Sequence, residues 1–82
     1  MKEGTLKVIY SLMTTYWKFI RKYADMDSTN GDPKRWDEFT EEANVMGEMY
    51  KENQALSEFN RRMILSCIAL IEASARGQLG EV

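Results

Sequence analysis

The sequence of 82 residues predicts an all-α protein, either a three-helix bundle or a helical hairpin, assembling as a homodimer. Three observations carry that expectation. Apolar residues recur at alternating spacings of three and four in successive segments, the period that lays side chains along one stripe of an α-helix. The one clear break is a polar, turn-rich stretch that ends at the only proline, Pro33. The third segment is apolar on nearly every side, more than two neighbouring helices of one small chain are expected to cover.

The first helix is expected over residues 4–26. Leu6, Ile9, Met13, Tyr16, Ile20 and Tyr23 form its stripe, widened by Val8, Leu12 and Phe19 on one side and by Trp17 on the other. The run Met26-Asp27-Ser28-Thr29-Asn30-Gly31-Asp32-Pro33 then interrupts it. Asn-Gly tolerates positive φ and makes a turn. Asp32 before Pro33 starts a helix: the carboxylate caps free N–H groups, and proline suits the first helical position.

The second helix is expected over 33–52, with Trp36, Phe39, Ala43, Met46 and Tyr50 on its stripe. Asn53-Gln54 supplies a polar gap where a corner is wanted, which favours a third helix over 55–76. An uninterrupted helix from Pro33 to Arg76 is the alternative, and it leaves a hairpin that has to dimerise. The third segment resumes with Leu56, Phe59, Met63, Cys67 and Leu70. Its run from Met63 to Ala73 holds only Ser66 and Glu72 as polar residues. Ile64, Ile68 and Ile71 are the expected self-association seam, most simply across a two-fold axis. Gly77 is expected to end the helix, leaving 77–82 as a frayed tail.

Length and composition bound the rest. Residues 1–82 make one domain at most, and domains this small often gain stability by oligomerising. One Cys forms no internal disulfide, which suits a reducing compartment. The N-terminus lacks the pattern of a secretory signal, and the longest apolar run falls well short of the roughly 20 residues of a membrane span, so the expected location is the cytoplasm. Net charge is −2, against nucleic-acid binding. Basic residues concentrate in the first helix (Lys2, Lys7, Lys18, Arg21, Lys22) and acidic ones in the second (Asp37, Glu38, Glu41, Glu42, Glu48, Glu52). That separation reads first as pairing between two helix flanks of one chain.

Catalytic chemistry has little to work with. The chain has no His, hence neither the commonest general base nor the commonest transition-metal ligand. Glu38, Glu41, Glu42 and Glu48 read as a solvated acidic face rather than a magnesium site, and neither metal nor cofactor is expected. The loop from Asp25 to Asp32 fails as a calcium loop, because its glycine and its closing acidic residue fall at the wrong positions. Cys67 lies in the most apolar stretch, where a thiol is packing rather than nucleophile. The expectation is a non-enzyme.

Aromatic residues are the richest remaining feature. Tyr10 and Trp17 stand off the main stripe beside Lys18 and Arg21, and Trp, Tyr and Arg dominate binding hot spots. These four are the candidate partner-binding residues. A second possibility is an oligomer that sequesters a phosphate-containing ligand or nucleotide in a pocket between subunits, using Arg21, Lys22, Arg61 and Arg62, since adjacent guanidiniums suit phosphates.

The spacing Trp17-x-Phe19-x-x-Lys22-Tyr23, the polar turn, Trp36, then Glu42-Ala43 and Tyr50, resembles small uncharacterised helical proteins of bacterial phages and integrated mobile elements. The likeness covers about the middle half of the chain. It implies an accessory protein that binds a host protein and regulates or inhibits it, with no functional residue carried over.

Overall fold

A computed structural model describes residues 1–27 and 32–80; the expected Asn30-Gly31 turn and the last two residues of the tail lie outside them. The described residues form three helices and no strand: α1 (Glu3–Lys22), α2 (Pro33–Gly47) and α3 (Gln54–Ala75). The chain bends at Asn53, so the architecture is three helices rather than a hairpin.

Each boundary has a local cause. The Asp32 side chain accepts from the Lys34 N–H at 3.0 Å, with Pro33 in the first turn. The Asn53 side chain does the same for α3, accepting from the Leu56 N–H at 3.1 Å. α3 closes in a Schellman turn: Gln78 N–H donates to the Ala73 carbonyl at 2.8 Å and Gly77 N–H to the Ser74 carbonyl at 3.0 Å. Gly77 sits at φ 71°, which a side chain would resist.

Two helices end earlier than their apolar periodicity implies. α1 stops at Lys22 rather than 26, because Arg35, at the start of α2, donates to the orphan Lys22 carbonyl at 2.7 Å. Tyr23 and Met26 remain buried, but in the turn that follows. α2 stops at Gly47 rather than 52. Glycine is a poor helix former, and Tyr50 turns the chain at φ 59° while its ring packs against the core.

α3 lies in the middle. α1 and α2 both pack on it, and they reach each other mainly through aromatic side chains. Phe19 stacks on Phe39 with ring centroids 5.3 Å apart, and Tyr23 and Trp36 meet Phe39 edge-on at 5.3 and 5.5 Å. Such pairs contribute about 0.5–1.5 kcal/mol each beyond the area they bury. Ion pairs line the same seam, with Lys22 against Glu42 at 3.1 Å and Arg35 against Asp25 at 3.1 Å. The opposite charges of α1 and α2 thus meet in part within the chain.

The core stripes of two helices are rotated from their expected positions. In α1 the buried residues are Leu12, Tyr16 and Phe19, while Leu6 and Met13 are exposed. In α3 they are Asn60, Ile64, Cys67, Ile71 and Ala75; Phe59 and Met63 form a half-buried flank and Leu70 is exposed. Only α2 keeps its expected stripe, with Phe39, Ala43 and Met46 buried.

This rotation corrects the self-association seam. Ile64 and Ile71 are 4% and 2% exposed, already enclosed by the chain's own helices. Ile68 is half-buried and lines a shallow cleft of about 510 Å³ with Gly47, Arg61 and Leu65. A central helix contacted from two sides needs a wide apolar face, and that accounts for part of the apolarity of α3, while Leu65 and Leu70 stay 65% and 41% exposed.

Asn60 is the only buried polar residue among those described, and it is fully enclosed. Its side-chain N–H donates to the Met46 carbonyl at 2.8 Å, and the Tyr16 hydroxyl donates to its oxygen at 2.6 Å. Met46 belongs to the last turn of α2, where carbonyls lack helical partners. One side chain of α3 therefore ties down the end of α2 and the middle of α1. Burial pushes the Tyr16 hydroxyl up to about 12, with the nearby Cys67 adding to it, and burial also raises the Cys67 thiol. Cys67 is core filler with little thiolate character.

Candidate partner-binding surface

The stripe displaced from the core is the most conspicuous surface of the molecule. Leu6, Tyr10, Met13 and Trp17 are spaced four, three and four, so they share one face of α1. They are 47%, 76%, 48% and 59% exposed. The core stripe lies on the other side of the same helix, and the half-buried Ile9 and Ile20 join the two. The apolar face of α1 is therefore wider than α2 and α3 cover.

Shape contributes. The radius of gyration is 14.1 Å and the extents are 44 × 28 × 16 Å, against about 12 Å for a compact domain of this length. An elongated arrangement wraps each helix less completely. Together the four side chains expose on the order of 400 Å², within the range of the largest apolar patches on monomers, which are often functional.

Of the four expected partner-binding residues, Tyr10 and Trp17 lie on this stripe. Arg21 sits one turn beyond, its guanidinium 5.8 Å from the centre of the Trp17 ring. That stacking holds the indole in place while leaving the cation exposed. Lys18 is exposed and turned about 100° from Trp17, at the edge of the stripe rather than on it. Leu6 and Met13 belong to the surface as well. Sequence reasoning put both in the core, since periodicity marks an apolar face without saying how much of it a neighbour covers.

Within one chain the alternative phosphate set falls into two separate pairs. Arg61 and Arg62 border a cleft of about 470 Å³ over the first turns of α3, together with Lys51 and Gln54. Arg62 is held by Glu58 at 2.6 Å. Arg21 and Lys22 do not line that cleft; they stand at the C-terminal end of α1, and Lys22 is engaged by Glu42, whose carboxylate raises its pKa. Glu42 also accepts from the Tyr23 hydroxyl at 2.6 Å. Among the described residues no three His, Cys, Asp or Glu side chains are grouped to hold a metal ion, and no helix is long and apolar enough to cross a membrane.

Compared with known proteins, the chain matches no family model, no curated protein and no solved structure. The resemblance to phage and mobile-element proteins thus rests on aromatic spacing alone.

Proposed function

We propose that the chain is a helical interaction module that acts by binding another protein rather than by catalysis, and that the outer face of α1 is its binding surface. The observation that carries this reading is the stripe Leu6-Tyr10-Met13-Trp17, 47–76% exposed along three turns of a helix whose separate stripe Leu12-Tyr16-Phe19 is packed in the core. Exposed Trp and Tyr with a stacked Arg are the composition of an interface centre rather than of ordinary surface. The expected resemblance to small phage and mobile-element proteins extends the proposal to an accessory role, regulating or inhibiting the bound host protein. Homodimer formation through Ile64, Ile68 and Ile71 loses its argument, because two of those side chains already serve the core.

Site-directed photocrosslinking tests the reading. A photoreactive residue at Tyr10 is expected to capture one defined protein in the source cells. The same residue at Glu38, on the exposed acidic face of α2, is expected to capture none above background. Equal, diffuse labelling from both positions would sink the assignment.

A further inference from the structure

We infer that the occupant of the α1 stripe is an acidic amphipathic helix of another protein; the inference rests on the binding surface proposed above and specifies what fits it. Charge makes the choice. Lys7 and Lys18 follow Leu6 and Trp17 by one residue each, so both are turned to the same side of the stripe, and Arg21 continues that edge. All three are exposed, and none forms an ion pair among the described residues. α1 contains no acidic residue after Glu3. Beyond its C-terminal end, Glu42 pairs with Lys22 and Asp25 with Arg35. The apolar stripe thus has a basic edge of three cations, whose one acidic neighbour within α1 is Glu3, a turn before Lys7.

Area and spacing choose a helix. Leu6 to Trp17 is three turns, roughly 17 Å at 1.5 Å per residue. A partner with anchors at i, i+3 or i+4, and i+7 lays the matching ridge along it. The exposed area is about half of the ~800 Å² per partner that a standard globular interface buries. A single helix fills a surface of that size.

The same facts argue against two other occupants. A two-fold contact between copies sets Lys7, Lys18 and Arg21 of one chain against their own equivalents, and its combined area falls short of the ~1,200 Å² typical of a stable interface. An anionic lipid surface is extended, so it meets the field of the whole molecule, which carries 13 acidic residues against 11 basic. A lone helix lying on α1 feels chiefly the charges within the ~8 Å screening length.

Two synthetic peptides test this with the full chain. Both carry the same Leu-based apolar face on an Ala-rich helical frame, with polar positions all Glu in one and all Lys in the other. Binding is read by fluorescence anisotropy of labelled peptide at low and at high salt. The Glu peptide is expected to bind about tenfold more tightly than the Lys peptide, the scale of three exposed charge pairs, and salt is expected to narrow the gap. Trp17→Ser is expected to weaken both peptides, while Lys7→Glu, Lys18→Glu and Arg21→Glu together reverse the preference; circular dichroism confirms that each variant stays folded.

Equal affinity for the two peptides, abolished by Trp17→Ser, overturns the acidic partner and leaves the binding surface standing. Binding of neither peptide, or binding indifferent to Trp17→Ser, overturns both. Sedimentation as a dimer that Trp17→Ser dissociates names a second copy as the occupant. Trp17-dependent binding to phosphatidylserine vesicles, without Glu-peptide binding, names a lipid surface. Either result overturns the inference.

Discussion

α1 and α3 are nearly equal in length, 20 and 22 residues, and both carry more apolar surface than one helix–helix contact can hide. They dispose of it in opposite ways. α3 lies between two neighbours, so Ile64, Cys67, Ile71 and Ala75 face inward, with Ile68 half-buried beside them. α1 lies at the side of the bundle. Leu12, Tyr16 and Phe19 face the core, while Leu6, Tyr10, Met13 and Trp17 face outward. The helix that looks over-apolar in composition leaves two large apolar side chains exposed, Leu65 and Leu70, while the ordinary-looking amphipathic helix leaves a continuous stripe of four. Position in the fold, not composition, decides which apolar face remains for a partner.

The sharpest way to break this contrast is to cut into α3. Ile71→Ala is expected to cost about 3 kcal/mol, because the enclosed side chain leaves a cavity. In urea unfolding that loss should be the same at every protein concentration. A loss that grows on dilution would mean α3 is an interface after all.

Asn60→Ala comes next, at about 2 kcal/mol, since it leaves the buried Tyr16 hydroxyl without its acceptor and takes one donor from the Met46 carbonyl, which keeps the Met49 N–H. Amide exchange at the end of α2 should accelerate most. Uniform acceleration throughout would show that Asn60 has no special hold on that end.

Tyr16→Phe is expected to cost about 1 kcal/mol at neutral pH, by leaving one acceptor of Asn60 unpaired. It should also remove part of the alkaline sensitivity. The folded pKa of Tyr16 is raised from 10.0 to about 12. Its neutral form is therefore favoured in the folded state, with that stability fully present below pH 10 and lost as pH climbs toward 12. A variant whose alkaline unfolding curve overlays the parent's would contradict this.

The Asp25–Arg35 pair works at the other end of the scale. Arg35 holds the Asp25 carboxyl below its usual 3.8, so its stabilisation is present above that value and fades as pH falls through the lower folded value. Asp25 is exposed and Arg35 only half-buried, so solvent screens the pair and Asp25→Asn should flatten the acid limb of the stability curve only slightly. The smallest expected effect belongs to the face proposed for binding. Trp17→Ser should change stability by no more than about 0.5 kcal/mol, and a loss above about 2 kcal/mol would place Trp17 in the fold rather than at an interface.

Much of the architecture is legible in the chain itself, because it is written in short-range chemistry. Asp32-Pro33, Asn53 and Gly77 cap or stop helices through groups within a few residues of themselves, and the alternation of three and four marks an apolar face from local geometry alone. The contributions of Arg35 and Asn60 were not legible, since each satisfies a carbonyl 13 or 14 residues away in sequence. One clue to Asn60 was present: it shares the inward register of Ile64, Cys67 and Ile71, where a polar side chain needs a buried partner.

For the candidate site, Tyr10, Trp17 and Arg21 stand out by residue type, whereas Leu6 and Met13 join them only once the fold is known. An amphipathic pattern determines that α1 has an apolar face and where along the helix it runs. Which part of that face meets α2 and α3, and which part is left to solvent, depends on where three rigid helices come to rest against one another. That is a property of packing between distant segments, and only the tertiary structure decides it.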